Sequence, residues 1–235
     1  MSDRTLKVPG KFQKGSFLTR PNRFVACVET QGEQTTAHVP TSGRLGELLL
    51  PGAEIKLRPA GTKNRKTAWD LMMVRTGQTW VSLDSRLPNY LVGQQLRLDD
   101  LPPFIGVTDV RAEVSHGAGR LDFSFTDGQG QQVLMEVKSV TLVEDGVAMF
   151  PDAPSVRGAR HLNELARAVQ EGWRAVAVFM IQRDDAKVFT PNRRTDPEFS
   201  SALEQAVAAG VEVYAWRCRV DSGLLELLDT VDVKI

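Results

Sequence analysis

The chain has 235 residues, 42% hydrophobic and 25% charged, with 29 Lys+Arg balanced by 29 Asp+Glu. That balance describes a globular protein long enough for a substantial core, and it excludes disordered, collagenous and disulfide-rich classes. No apolar run reaches membrane-spanning length and the start lacks a basic-then-apolar leader pattern, so no membrane partner and a cytoplasmic location are expected.

Two cysteines, Cys27 and Cys218, lie far apart in the sequence and form no Cys-x-x-Cys pair. They read as small buried hydrophobes, which argues against a zinc site or disulfide framework. His38, His116 and His161 are scattered. The charge is unevenly placed. Residues 1–75 hold 13 Lys+Arg and 6 Asp+Glu, whereas the remainder holds 16 and 23. This asymmetry fits a basic module that grips a polyanion, and it equally fits two halves that attract each other.

In chain order, residues 6–81 read as short strands and turns. Strand-like runs fall at 24–28, 36–39, 54–58 and 68–74, with turns at Pro40-Thr41-Ser42-Gly43 and Pro51-Gly52. Strands at this spacing suggest a small barrel or sandwich, with a five-stranded oligonucleotide-binding barrel as one candidate. Residues 88–98 are helix-compatible until Leu101-Pro102-Pro103 breaks the pattern. Strands are expected at 107–114, 120–126 and 133–140, and a helix at 155–172 ending at Gly172. The continuous apolar run at 174–181 predicts a buried strand. Asp196-Pro197-Glu198 supplies a cap, a first-turn proline and an acid for a helix running to residue 209. A strand follows at 211–216. The order predicts a mixed sheet with helices on both faces.

The stretch that carries chemistry is RLDFSFT-DGQGQQ-VLMEVKSVT, residues 120–141. Alternation sends Leu121, Phe123 and Phe125 one way and Asp122 the other, while Glu136 and Lys138 share one face of the next strand. If both polar faces lie on one side, Asp122, Glu136 and Lys138 converge. Two carboxylates suit Mg²⁺ or Mn²⁺, and a lysine can orient water or steady a phosphate. An ordinary amphipathic hairpin with a charged solvent face is the competing reading. Arg157, His161 and Glu164 form a stripe on the helix that follows. They read either as site residues, with Arg157 on a phosphate and His161 assisting proton transfer, or as an exposed helix face. Arg20, Arg23, Lys63, Arg65 and Lys66 are candidate phosphate contacts on the barrel or solvated loop charges. Trp69 and Trp80 would stack on bases or fill a core, and Phe24 reads as core.

The segments MEVKSVTL and FPDAPSVRGARHLNEL resemble the bacterial and archaeal sugar fermentation stimulation protein family. The resemblance extends through Asn22-Arg23-Phe24, His38-Val39-Pro40, Leu87-Pro88-Asn89, Pro191-Asn192 and Gly210-Val211-Glu212-Val213, covering nearly the whole chain. It implies an α+β two-domain protein. An oligonucleotide-binding barrel over residues 1–82 would join a PD-(D/E)xK, restriction-endonuclease-like sheet flanked by helices over residues 83–235. It also implies sequence-nonspecific DNA binding, single- or double-stranded, and a regulatory role in sugar (maltose) metabolism. Asp122, Glu136 and Lys138 match the superfamily's catalytic positions, and the Val137 carbonyl would be a third metal ligand.

Two departures bear on activity. Thr41 stands where the resemblance predicts Asn, and Gly93-Gln94-Gln95 occupies a helix that usually carries acids. The missing acid weakens the case for cleavage, with Glu113 on the preceding strand as a substitute. The expected function is therefore a metal-dependent, nuclease-type DNA-binding protein, with a non-catalytic DNA-binding regulator as the alternative. An exposed edge strand would support a homodimer.

Overall fold

The computed structural model describes residues 4–61, 65–117, 119–221 and 223–235. The first strand, β1 (Thr5–Lys7), does not join the barrel that follows it. The barrel is built from β2 (Gln13–Asn22), β3 (Val25–Thr30), β4 (Glu33–His38), β5 (Glu54–Pro59) and β6 (Trp69–Thr76). Parallel pairing of β4 with β6, Ala37 opposite Trp69, closes the ring. This is the five-stranded oligonucleotide-binding architecture that the strand spacing suggested. Alternation sends Ala26 and Val28 of β3 inward, and Leu45, Leu48 and Leu49 from the β4–β5 connection complete the barrel core.

Strand β6 is buried from Asp70 to Val74, with no solvent face. Leu71 and Val74 fill the barrel, whereas Met72 and Met73 pack into the core of the second domain. The continuous apolar run Leu71-Met72-Met73-Val74 thus reflects a strand wedged between two cores, and it makes barrel and second domain share packing. The appended strand β7 (Thr79–Ser82) ends where Ser82 N donates to Gln182 O at 3.2 Å.

The second domain contains α1 (Leu87–Arg97), β8 (Thr108–His116), β9 (Gly119–Thr126), β10 (Gln132–Val140), β11 (Val143–Glu144), β12 (Val147–Phe150), α2 (Val156–Gln170), β13 (Arg174–Ile181), β14 (Val188–Pro191), α3 (Pro197–Ala208), β15 (Glu212–Asp221), β16 (Leu224–Thr230) and β17 (Asp232–Val233). Its main sheet has the order β1-β16-β15-β13-β10-β9-β8. The central strands β10, β13 and β15 run parallel and the outer ones antiparallel. Leu91, Val92 and Leu96 of α1 cover one face, and α2 with α3 covers the other. Helices on both faces of a mixed sheet is the expected arrangement.

Helix α1 falls in the stretch read as helix-compatible, and α2 and α3 lie where periodicity and capping placed them. Ser155 Oγ accepts the Gly158 N–H at 3.0 Å to start α2, and Asp196 Oδ1 accepts the Phe199 N–H at 2.9 Å to start α3. The sheet is larger than expected. Strand β1 pairs with β16 (Leu6 opposite Leu225), and a small sheet β11-β12-β14-β17 was not foreseen. Among the described residues, no helix is long and apolar enough to cross a membrane.

Candidate functional site

Strands β9 and β10 pair from Gln132 opposite Thr126 to Met135 opposite Phe123, and there the ladder stops. Asp122 is the next residue of β9. Its Oδ2 accepts the Val137 N–H at 2.7 Å, so a side chain serves where a strand carbonyl otherwise would. Its Oδ1 accepts from Asn89 Nδ2 of α1 at 2.6 Å. The parting of the strands also breaks the expected alternation. Phe123 and Phe125 enter the core on the α1 side, but Leu121 packs with Leu134 and Leu165 beneath α2. The shared face expected for Leu121, Phe123 and Phe125 is corrected on this point. Asp122 lies in the gap between separating strands, not on the regular face of a hairpin.

Strand β10 keeps its alternation. Leu134 packs under α2, and Glu136 and Lys138 continue on that face. Glu136 is only 3% exposed. Its Oε1 accepts from Lys138 Nζ at 2.5 Å and is hydrogen-bonded to His161 Nδ1, while its Oε2 is buried without a protein partner. Arg157 Nε donates to His161 Nε2 at 3.3 Å. Nδ1 of the same ring also lies 3.3 Å from Lys138 Nζ, so His161 bridges Glu136, Lys138 and Arg157. His161 is 2% exposed with both nitrogens engaged, so it holds Glu136 and Arg157 in place and does not reach into the cleft as a free acid or base.

The two carboxylates differ in electrostatics. Burial and the neighbouring Glu136 charge push the Asp122 carboxyl up to about 6, against the opposing pull of the Val137 N–H, Lys138 and Asn89. Burial acts to raise Glu136 as well, but the His161 hydrogen bond and the Lys138 charge outweigh it and hold the group below its usual range.

These groups form the floor of a cleft of about 530 Å³ between the two domains. The barrel contributes Arg23, Thr41 and Gly43, the start of α1 contributes Arg86 and Asn89, and the approach to α2 contributes Asp152 and Arg157. The domains press together here. Leu45 N donates to Asp152 Oδ2 at 3.3 Å, and a side-chain carbon on Gly43 would lie 2.6 Å from that oxygen.

Other expected site residues lie elsewhere. Glu164 is buried one helical turn beyond His161, 3.5 Å from Arg167 Nη1 and against Gly117, outside the cleft. Glu113 is exposed and pairs with Arg120 at 3.2 Å. Arg20 donates to the carbonyls of Arg44 and Arg23, so it shapes the cleft rim instead of offering a phosphate contact. Arg65 is held by Asp70 at 2.6 Å, and Lys66 is exposed away from the cleft. Lys63 lies outside the described residues. Trp69 packs on the barrel core, and Trp80 packs on the interdomain core beneath Lys56, 4.3 Å from ring centroid to ammonium. Phe24, expected in the core, is exposed at the β2–β3 tip.

The oxygens here suit a hard divalent cation. On a strand, the N–H and C=O of one residue point to the same side, so Val137 turns its carbonyl as well as its N–H toward the parted edge. Asp122, Glu136 and that carbonyl are oxygen donors on the cleft floor, with the Asp152 carboxylate on its wall. Among the described residues, no group of three or more His, Cys, Asp or Glu side chains is arranged to hold a metal.

Family models match both halves of the chain. The SfsA N-terminal OB domain covers residues 18–83, and the sugar fermentation stimulation protein RE domain covers residues 86–223. A sugar fermentation stimulation protein homolog of Moorella thermoacetica is 48% identical, covering 98% of this chain and 100% of that protein. The chain belongs to the sugar fermentation stimulation protein family. A homolog from Symbiobacterium thermophilum is also 48% identical, over 86% of this chain and 87% of its own. The structure of Pyrococcus furiosus SfsA in complex with Ca²⁺ superposes with a TM-score of 0.88 at 30% identity, covering 98% of this chain and 100% of that one.

Within this SfsA fold, the helix side chain that meets Asp122 is Asn89, not residues 93–95. Gly93 packs against Phe123, Gln94 Nε2 donates to Thr5 O at 3.0 Å, and Gln95 is fully buried. Asn89, Arg86 and Asp152 were not singled out as site residues from the sequence. The available signal for Asn89 and Asp152 was their place in segments matching the family, Leu87-Pro88-Asn89 and FPDAPS; Arg86 stands immediately before the first of these.

Proposed function

We propose that this chain binds DNA without sequence preference and carries a divalent-metal-dependent site for phosphodiester hydrolysis. One observation carries the reading: Asp122 and Glu136 meet at the parting of two strands, with a buried, unpartnered Glu136 oxygen beside Lys138. An ionised carboxylate oxygen without a partner is costly to bury, and a cation removes that cost. Asp122, Glu136 and the Val137 carbonyl would hold Mg²⁺ or Mn²⁺. The Ca²⁺ complex of the Pyrococcus furiosus relative supports an oxygen-ligated divalent ion.

The bound ion supplies Lewis-acid stabilisation of negative charge on the phosphate. The chain's own groups do the remaining work. Lys138, tethered to Glu136, positions the attacking water and donates to a phosphate oxygen. Arg157, anchored through His161, and Arg23 on the opposite wall receive the flanking phosphates. Binding dominated by such contacts weakens steeply with salt.

A second reading rests on Asn89. Where a third carboxylate would complete a stronger metal site, Asp122 meets a neutral amide. This favours a non-catalytic DNA-binding regulator of sugar (maltose) metabolism on the same fold.

Purified protein incubated with single- and double-stranded DNA in Mg²⁺, Mn²⁺ or EDTA, alongside Glu136→Gln, separates the two. Metal-dependent cleavage lost in the variant establishes the enzyme. Salt-sensitive binding without cleavage establishes the regulator. Absence of binding at low salt removes both.

A further inference from the structure

Phe24 is 51% exposed, although its size favours burial. Isolated exposed hydrophobics are common and need no explanation. Phe24 differs in how firmly it is held and in what surrounds it. Its N–H donates to Asn22 Oδ1 at 2.9 Å, its carbonyl accepts the Val39 N–H at 2.9 Å, and Arg20 Nη2 ties down the preceding carbonyl at 2.5 Å. The backbone carrying the ring is therefore fixed on both sides, while the ring itself faces solvent.

The ring lines a groove of about 310 Å³ with His38, Pro40, Thr41, Ser42, Ser85 and Arg86. Thr41, Ser42, Ser85 and Arg86 also line the cleft that holds Asp122 and Glu136. Groove and cleft are thus one continuous surface. Arg23, adjacent to Phe24, lines the cleft, and among the described residues its guanidinium makes no hydrogen bond or ion pair with the protein. A rigid aromatic face beside a free guanidinium offers the two contacts a nucleotide needs, one for the base and one for the phosphate.

A paired base in a duplex already has both faces stacked, so an aromatic platform gains little from it. An unpaired base has a face to offer. We propose that Phe24 stacks on an unpaired nucleobase next to the phosphate in the cleft, so that the substrate class is single-stranded DNA or a single-stranded segment of a larger DNA. Trp69 and Trp80 pack against the cores and line neither the groove nor the cleft. The inference rests on the DNA-binding reading above.

The test measures binding of the full-length protein to a labelled oligothymidine and to a blunt duplex of equal length, by fluorescence anisotropy in EDTA. Phe24→Ala is compared with Phe24→Trp and with Leu50→Ala, which removes another exposed apolar side chain outside the cleft. Phe24→Ala is expected to weaken single-strand binding by about ten-fold or more. Duplex binding should change less than about two-fold by the same argument. Phe24→Trp should retain single-strand affinity, with the new indole fluorescence quenched on binding, and Leu50→Ala should match wild type. Matching far-UV circular dichroism and melting temperature exclude misfolding as the cause.

Unchanged single-strand affinity in Phe24→Ala overturns the proposal, and so does an equal loss on both DNA forms. Neither result affects the broader DNA-binding reading, because wild type still binds. Failure of wild type to bind either DNA overturns both.

Discussion

Asp196 joins the starts of two helices: its Oδ1 caps α3 at Phe199 N, and its Oδ2 accepts the Ser155 N–H at 2.7 Å, one residue before α2 begins. Since α2 carries Arg157 and His161, the carboxylate that starts one helix also sets where the other helix presents the cleft. Close packing at Gly158, where a side-chain carbon would lie 3.0 Å from the Phe199 ring, leaves little room for the two helices to slide. Asp196→Ala removes both acceptors and is expected to cost about 2–3 kcal/mol, the sum of a lost cap and an unsatisfied N–H. Asp196→Asn, which keeps one acceptor, should cost about half that on the same basis. Urea unfolding of the two variants checks the order, and equal losses would refute the two-oxygen role.

His161→Ala leaves Glu136 with Lys138 as its remaining side-chain partner. Residues that orient a metal ligand typically affect affinity by about 10–100-fold when removed. Mn²⁺ affinity measured by titration calorimetry should fall within that range. An unchanged affinity would show that His161 serves packing alone.

The barrel carries an acid-sensitive contact behind His38, which lines the groove beside the cleft. Burial would by itself raise the Asp70 carboxyl, but hydrogen bonds and charges from Arg65 and Arg58 outweigh it and hold the group below its usual value. His38 Nδ1 lies 3.5 Å from the same carboxylate. With the folded value depressed, the folded state binds fewer protons than the unfolded chain. The stabilisation is therefore complete above the ordinary carboxylate range and is lost as pH falls through the lower folded value. Asp70→Asn should destabilise the protein by about 1–3 kcal/mol at neutral pH, with the difference shrinking toward zero in strong acid. Chemical denaturation across pH 2–7, an interval of roughly five units spanning the titration, reads this directly. A pH-independent difference would assign the effect to shape.

The two thiols should behave differently. Cys218 is fully buried, and burial pushes its thiol far above the ordinary range, while Cys27 is half-buried on the barrel. In the native protein, a thiol reagent should modify Cys27 first, with Cys218 following only at the rate of unfolding. Simultaneous modification would show that the sheet around Cys218 opens locally.

The relation of sequence to structure is clearest at the hairpin. Glu136 and Lys138 share a face because β10 is regular, and a period of two reveals that directly. Asp122 reaches the same place by a different route. Strand β9 leaves its partner after Phe123, which moves Leu121 to the opposite core, and no local pattern announces where a ladder ends. The helices at 155–172 and 196–209 were legible because periodicity and Gly172 mark the first and Asp196-Pro197-Glu198 starts the second. Phe24 was misread because the apolar run at 24–28 hides the hairpin tip within it. For Arg20 and Arg65 the sequence leaves two readings open, because whether a cation is free or spent on a carbonyl or carboxylate depends on tertiary partners. Asn89 escaped notice because a neutral amide becomes informative only once a carboxylate is found beside it.

Strand β1 pairs with β16, Leu6 opposite Leu225, so during synthesis β1 finds its partner only after all the residues between the two strands have emerged. The barrel can close on contacts made within its own segment while synthesis continues. The sheet that underlies the cleft has to wait, with β1 unpaired meanwhile. Closing such a long loop is slow. A newly made chain should therefore pass through a stage with a finished barrel and an unfinished cleft, acquiring the cleft surface as the last step of folding.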